Sequence, residues 1–272
     1  MISSDTSALS GLLREGLEAG VAPALSAWVA IDGEQRAVAA VGVATPDTLF
    51  DLASLTKPMV VVTQVMEDVS NGLYRLDDWL ELPGGHRRTY RELLGHRSGL
   101  PAWEDLWAVA TANLTDWSPG DANVWQAVEE RISSLLESRG ESRTVYSDLG
   151  YIHLGRALER THGRALRDMG PRFGPVPRAA PTELCPRRRL HLNGQVHDLN
   201  CWVLGGSAGH AGVFASAHEV GAWAQRLLRA TKGREDRLDS TVVLEFWSRE
   251  QRSDGSSWVL GWDTASPSGS SG

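Results

Sequence analysis

Ser54-Leu55-Thr56-Lys57 places a hydroxyl and an amine three residues apart. A serine hydroxyl is a weak nucleophile until a neighbouring group takes its proton. Residues three apart share one face of a helix, so Lys57 can sit beside Ser54. Lys57 and Lys232 are the only lysines among 27 basic residues, the rest being arginine. Arginine stays protonated in proteins, whereas a buried lysine can lose its proton and act as a base. The pairing suits acyl transfer through Ser54. Four-residue patterns with two free positions are common, so the weight of that reading falls on the elements that position the pair.

The helix that carries the pair is legible. Pro58 fits a first turn, apolar residues run through Val69, and Asn71-Gly72 ends it. Ser54 then lies at a helix N-terminus, where free N–H groups favour developing negative charge. Upstream, Met1 to Gly20 reads as an amphipathic helix with Leu9, Leu12, Leu13 and Leu17 on one face. Residues 24–31 and 35–43, joined at Asp32-Gly33, form an expected β-hairpin. Downstream, a short helix is expected from Thr89, ended by Gly99 and Pro101, and residues 102–140 read as helical. Tyr146-Ser147-Asp148 reads by itself as a tyrosine ahead of a helix capped by Ser147 or Asp148, with that helix running past Leu158. Residues 170–190, rich in Pro and Arg, are expected to form an ordered loop. Ser216 and Glu219 make a capping box for a helix to about Ala230, a shorter helix covers Thr241 to Trp247, and Trp258 to Trp262 reads as a strand or turn. Residues 266–272 resemble a flexible linker tail.

Other groups compete for attention. Gly205-Gly206-Ser207-Ala208-Gly209 matches G-x-S-x-G, but a nucleophile elbow needs a strand before it and a helix straight after, and here the helix starts only after Ser216. His197, Asp198 and His210 are metal-ligand types at spacings that match no zinc pattern, so no metal and no cofactor is expected, and hydrogen-bonding roles suit His197 and Asp198 better. His96 reads as a structural histidine, and Cys185 and Cys201 as ordinary thiols. Eleven tryptophans are expected mainly in packing.

A length of 272 residues allows one large domain with a subdomain. The net charge of −7 disfavours nucleic acid or an anionic membrane as main partner. The first 20 residues lack a basic n-region and an apolar h-region, which leads to an expectation of a cytoplasmic protein.

Taken in order, these segments resemble the serine β-lactamase and penicillin-binding superfamily, in the branch with class C enzymes, D-Ala-D-Ala carboxypeptidases and esterases. Phe50-Asp51-Leu52-Ala53-Ser54-Leu55-Thr56-Lys57 is similar to the first motif of that family. Leu93-Leu94-Gly95-His96-Arg97-Ser98-Gly99-Leu100-Pro101 resembles its LLxHxSGLP signature. Tyr146-Ser147-Asp148 resembles its Y-x-N motif with aspartate in the third place. Residues 196–200 and 209–212 resemble signatures of one sub-branch. The match runs from about residue 24 to 263.

The resemblance implies an α+β fold, an antiparallel sheet flanked by helices with a mainly helical subdomain over about 75–215, in a single domain spanning 1–265. It implies Ser54, Lys57 and Tyr146 as catalytic groups, with Ser54 forming an acyl-enzyme, and Asp148, His197 and His210 bordering the substrate. Which of Lys57 and Tyr146 is the base stays open. The implied substrate is a small ester, amide or lactam; a homo-oligomer is kept open as a partner, since the sequence does not say whether a dimer closes the sheet. The third motif of the family, a K/H-T/S-G on a late strand, has no counterpart here. By the same resemblance, three strands and a terminal helix that complete the sheet would follow residue 272. A degenerate, non-catalytic binding protein is therefore the alternative reading.

Overall fold

The computed structural model describes residues 2–137, 143–249 and 255–265. The expected tail at 266–272, and the last residues of the expected 102–140 helical stretch, lie outside them. Helix α1 (Ile2–Glu18) lies along strand β2 (Glu34–Gly42), which pairs antiparallel with β1 (Ala24–Ile31). Leu9, Leu13 and Leu17 of α1 are half-buried, but Leu12 is 64% exposed and belongs to the solvent face, so the apolar stripe is narrower than expected. Asp32 and Gly33 both adopt positive φ, 53° and 84°, as a two-residue D-G hairpin turn requires.

The two-residue strand β3 (Phe50–Asp51) leads into the nucleophile segment. That segment is a 3-10 turn (Ala53–Leu55), a π-helical turn (Lys57–Val62) and then α2 (Thr63–Ser70). The expected helix is thus present, and its first two turns are wound differently around Pro58, which supplies no N–H to a regular ladder. The Thr63 hydroxyl donates to the Pro58 carbonyl at 2.8 Å. β4 (Trp79–Glu81) and β5 (Arg87–Thr89) make a small antiparallel pair before α3 (Tyr90–Leu94). Thr89 and Glu92 form a reciprocal capping box at the start of α3. The helix ends at Leu94, earlier than Gly99, because His96 turns into the left-handed region at φ 57°.

The tryptophan-rich stretch is two helices, α4 (Leu106–Asn113) and α5 (Ala122–Glu137), broken around Pro119-Gly120, where Gly120 has φ 87°. Helix α6 (Asp148–His162) follows. Residues 170–190 were expected as a loop. Instead they contain β6 (Pro181–Cys185), which pairs antiparallel with β7 (Leu190–Asn193). A short α7 (Leu199–Val203) precedes β8 (Phe214–Ala215), which pairs with β3. α8 (Ala217–Ala230) starts at its Ser216–Glu219 capping box, and α9 is Ser240–Trp247. Trp258 and Asp263 form an isolated antiparallel bridge around a turn.

The main core joins α2, α3, α5, α6 and α9 through fully buried Met66, Leu93, Ile132, Tyr151, Leu154 and Phe246. Each such side chain contributes about 1.5–3 kcal/mol relative to exposure. That core fixes α2 against α6, and so fixes the two ends that carry Lys57 and Asp148. The N-terminal hairpin is attached from the other side, where the Trp28 ring lies on α8 at Gly221. Among the described residues β1 has β2 as its only strand neighbour. Trp107, Trp117 and Trp202 pack on one another with centroids 5.3–6.3 Å apart, in keeping with a packing role. Both cysteines are free and buried.

Candidate active site

The site begins with a strained turn. Leu52 N–H donates to the Val213 carbonyl at 2.9 Å, which ends the β3–β8 pairing and turns the chain outward. Ala53 follows with φ 46°, a conformation that costs a residue with a Cβ about 1–2 kcal/mol. Asp51 holds it there. One carboxylate oxygen accepts from Ala53 N–H at 2.9 Å, and the other from His197 N–H at 2.7 Å. Thr56 Oγ1 accepts from Val213 N–H at 3.2 Å and ties down the next residue. Ser54, between these ties, is exposed at the start of the helical segment. Of the N–H groups in this turn, Ala53 donates to Asp51 and Leu55 to the Leu52 carbonyl at 2.9 Å, so the Ser54 N–H is the one the turn could offer to an oxyanion.

Lys57 is 2% exposed. Its Nζ donates to Ser54 Oγ at 2.9 Å, to Asp148 Oδ1 at 2.6 Å and to the His210 carbonyl at 3.4 Å. The ammonium also lies 4.7 Å from the centroid of the Tyr146 ring and 5.8 Å from that of Tyr151, within cation–π range. All three N–H directions of the lysine are therefore used, one of them on the serine.

Asp148 and Tyr146 are delivered by the start of α6. Ser147 caps that helix and donates its hydroxyl to the Pro101 carbonyl at 2.7 Å. Ser147 N–H donates to His96 Nδ1 at 3.0 Å, so that nitrogen must be unprotonated. Burial, and after it the charge of Lys57, push the His96 imidazole down to about 3, which keeps it neutral. The His96 ring packs against Tyr146 (4.5 Å), Trp258 (4.9 Å) and Tyr151 (5.0 Å). A neutral histidine thus joins the LLxHxSGLP-like segment to the Tyr146 turn, the structural role expected of it.

The 195–212 segment closes the site from the other side. Asp198 caps α7 through Cys201 N–H at 2.7 Å and accepts from His210 Nε2 at 3.0 Å. Burial raises the Asp198 carboxyl, but His210, the Cys201 N–H and His197 together outweigh it and hold it at about 2. His210 is 1% exposed, and it reaches Lys57 with its backbone carbonyl. That approach needs two glycines. A Cβ on Gly209 would lie 1.9 Å from the Tyr151 carbonyl, and one on Gly155 would lie 3.0 Å from Gly209 Cα, so α6 and this segment touch backbone to backbone.

The structure thus brings Ser54, Lys57, Tyr146, Asp148 and the His210 carbonyl into one constellation. The Asp148 carboxylate is engaged by Lys57, and the His210 imidazole faces Asp198. His197 is exposed, with its backbone N–H on Asp51 and its ring 3.6 Å from Glu183. Two residues were not anticipated in this setting. Asp51 stands two positions ahead of Ala53, whose left-handed conformation nothing in an alanine announces. Trp258 is 112 positions from Tyr146, and no local signal marks their contact (centroids 4.9 Å). Ser207 follows α7 and a Gly-Gly turn rather than a strand, and its hydroxyl is buried without a hydrogen-bond partner among the described residues. No group of three His, Cys, Asp or Glu among the described residues is arranged to hold a metal ion. No helix among them is long and apolar enough to cross a membrane.

A family model described as Beta-lactamase matches residues 9–272. A protein of Salmonella typhimurium (strain LT2), provisionally named D-alanyl-D-alanine carboxypeptidase, is 26% identical over 263 residues, which covers 80% of this chain and 60% of that protein. The chain thus spans about three fifths of the length of the curated relatives it matches. The octameric penicillin-binding protein homologue from Pyrococcus abyssi superposes with a TM-score of 0.66 at 17% identity, covering 90% of this chain and 60% of that one. A class C beta lactamase from Rhodobacter sphaeroides does so with a TM-score of 0.59 at 18% identity, covering 87% and 69%. At these identities the superpositions speak for the fold.

Proposed function

Because this chain belongs to the Beta-lactamase family, we propose that it is a serine hydrolase that cleaves a small ester or amide through an acyl-enzyme on Ser54. The observation that carries the reading is the 2.9 Å hydrogen bond from a buried lysine to the hydroxyl of an exposed serine at a helix start. The name of a relative points the same way, since a D-alanyl-D-alanine carboxypeptidase cleaves an amide bond.

In this reading Ser54 Oγ attacks the substrate carbonyl carbon. The Lys57 ammonium, held by Asp148, stabilises the serine oxygen as its proton leaves. Tyr146, acting as a phenolate beside that ammonium, accepts the proton and hands it to the departing alcohol or amine. Water then attacks the acyl ester, Tyr146 takes a proton from it and returns one to Ser54, and the acid leaves. The Ser54 backbone N–H is one oxyanion donor. A domain reaching to residue 265 with a helical portion at 75–215, and a cytoplasmic place of action, belong to the same proposal.

Labelling the intact protein with a fluorophosphonate or a penicillin, followed by peptide mapping, tests it. Modification at Ser54 is expected, and modification at Ser207 instead overturns the assignment. Turnover of nitrocefin and p-nitrophenyl acetate beside a Ser54→Ala control separates catalysis from binding. Equal rates in both proteins would favour the non-catalytic alternative.

A further inference from the structure

A second cleft lies behind the helix that carries Lys57, and none of Ser54, Lys57, Tyr146, Asp148 and His210 lines it. Its volume is about 730 Å³, within the roughly 300–1,000 Å³ of small-molecule sites. The floor is apolar, built from Met59, Val60, Met169 and Trp223. One wall is a single stripe of the helix, in which Met59, Thr63 and Glu67 recur every fourth residue.

The charges around the cleft are unequally used. Asp68, only 4% exposed, accepts from Gln64 Nε2 (2.8 Å), Tyr74 Oη (2.8 Å) and His162 Nε2 (3.0 Å). Burial, and after it the Asp68 charge, push the Tyr74 phenol far up, so it stays a donor there. Both Asp68 oxygens are therefore engaged, and the carboxylate orients the His162 ring at the cleft wall. Glu67 is paired with Arg226 at 2.6 Å, and Glu219 with Arg172 at 2.7 Å. Glu235 takes Arg229 at 2.6 Å. Every carboxylate that lines the cleft is thus occupied, while two arginines are not. Arg164 reaches only the Asp168 carbonyl, at 3.3 Å. Arg237 has neither a hydrogen bond nor an ion pair among the described residues.

We propose that this cleft binds a small amphipathic organic anion, its apolar body on Met59, Val60, Met169 and Trp223 and its anionic group between Arg164 and Arg237. Guanidinium groups left without carboxylates favour phosphate or carboxylate oxygens in a two-pronged geometry. An apolar floor adds the body of the ligand to the recognition, which excludes inorganic anions as the best fit.

Binding of 1-naphthyl phosphate and of 1-naphthol, each measured by calorimetry on the full chain, tests the proposal independently of any activity at Ser54. Saturable one-to-one binding is expected, with the phosphate preferred by about tenfold or more, the worth of one charge-assisted contact. The exposed double variant Arg164→Ser/Arg237→Ser is expected to lose that preference. Met169→Trp, which fills the floor, is expected to weaken both probes. Circular dichroism reports whether each variant folds, and the arginine variant is decisive alone if Met169→Trp does not. Equal affinity for the two probes, absence of saturation, or an undiminished phosphate preference in the arginine variant would overturn the site.

Discussion

Lys57 and Asp148, 91 positions apart in the chain, form a 2.6 Å ion pair in which the lysine side chain is 3% and the aspartate side chain 18% exposed. Breaking a buried pair by removing one partner leaves an unbalanced charge and costs about 3–5 kcal/mol. Asp148→Ala is expected at the lower end, about 3 kcal/mol, because its partner keeps the Ser54 and His210 oxygens. Asp148→Asn, which retains an acceptor for Nζ, is expected to lose about half as much. Urea unfolding of both variants measures this, and an unchanged midpoint for Asp148→Ala would refute a structural role for the pair. The acylation rate with p-nitrophenyl acetate should fall in the alanine variant even where it is fully folded.

The turn that presents Ser54 gives a suppressor test. Asp51 restrains Ala53 in the left-handed region through one oxygen and joins the turn to the His197 backbone through the other. Asp51→Ala should let Ser54 move, and a misplacement near 1 Å costs about a hundredfold in rate. Glycine adopts the φ of Ala53 without a Cβ clash. Ala53→Gly alone is therefore expected to add about 1 kcal/mol of stability, and in the Asp51→Ala background it should recover part of the lost rate. If the double variant is no faster than Asp51→Ala, Asp51 acts by something other than holding that conformation.

Much of this arrangement was readable from local pattern, and the rest was not for identifiable reasons. Asp32-Gly33 and the Ser216–Glu219 box specify their turn and cap within a few residues, so the hairpin and α8 stand where expected. The S-x-x-K spacing likewise puts Lys57 on Ser54. β6 gave no signal, because four of its five residues are exposed and show no alternation for a strand to reveal. The end of α3 is not legible locally, because the left-handed turn at His96 is supported by Ser147, about fifty residues on. The use of the His210 backbone rather than its ring against Lys57 depends on the Gly155–Gly209 approach, which no single segment encodes.

Two buried histidines make the fold sensitive to mild acid. Burial first, and then Lys57, hold His96 at about 3, while burial followed by Arg160 and Arg156 holds His153 at about 4. In the unfolded chain both would titrate near 6.5. Between those limits the unfolded state binds more protons, so stability rises with pH there. The contribution is complete above about pH 6.5, and it falls on acidification by about 1.4 kcal/mol per pH unit for each histidine. His153 Nε2 has no hydrogen-bond partner among the described residues, so His153→Leu removes a titrating group without breaking a recorded bond at that atom. Between pH 6.5 and about 4 the variant should lose stability less steeply than the parent. Parallel stability curves over that window would rule out His153 as a source of the acid sensitivity.

Asp198 separates capping from charge. It accepts from Cys201 N–H as the cap of α7 and from His210 Nε2 with the same oxygen. Asparagine is as good a cap as aspartate, whereas alanine forfeits about 1 kcal/mol. Asp198→Asn should therefore keep α7 and lose only the charge facing His210, and Asp198→Ala should lose both. Held at about 2 against an ordinary 3.8, the carboxyl contributes stability that is fully present above pH 3.8 and is lost as pH falls through 2. At pH 7 the alanine variant should unfold about 1 kcal/mol before the asparagine variant. Below pH 2 the parent and the asparagine variant should converge, since the parent carboxyl is then neutral too. If they remain as far apart below pH 2 as at pH 7, the charge of Asp198 is not what separates them, and the linkage to His210 is refuted.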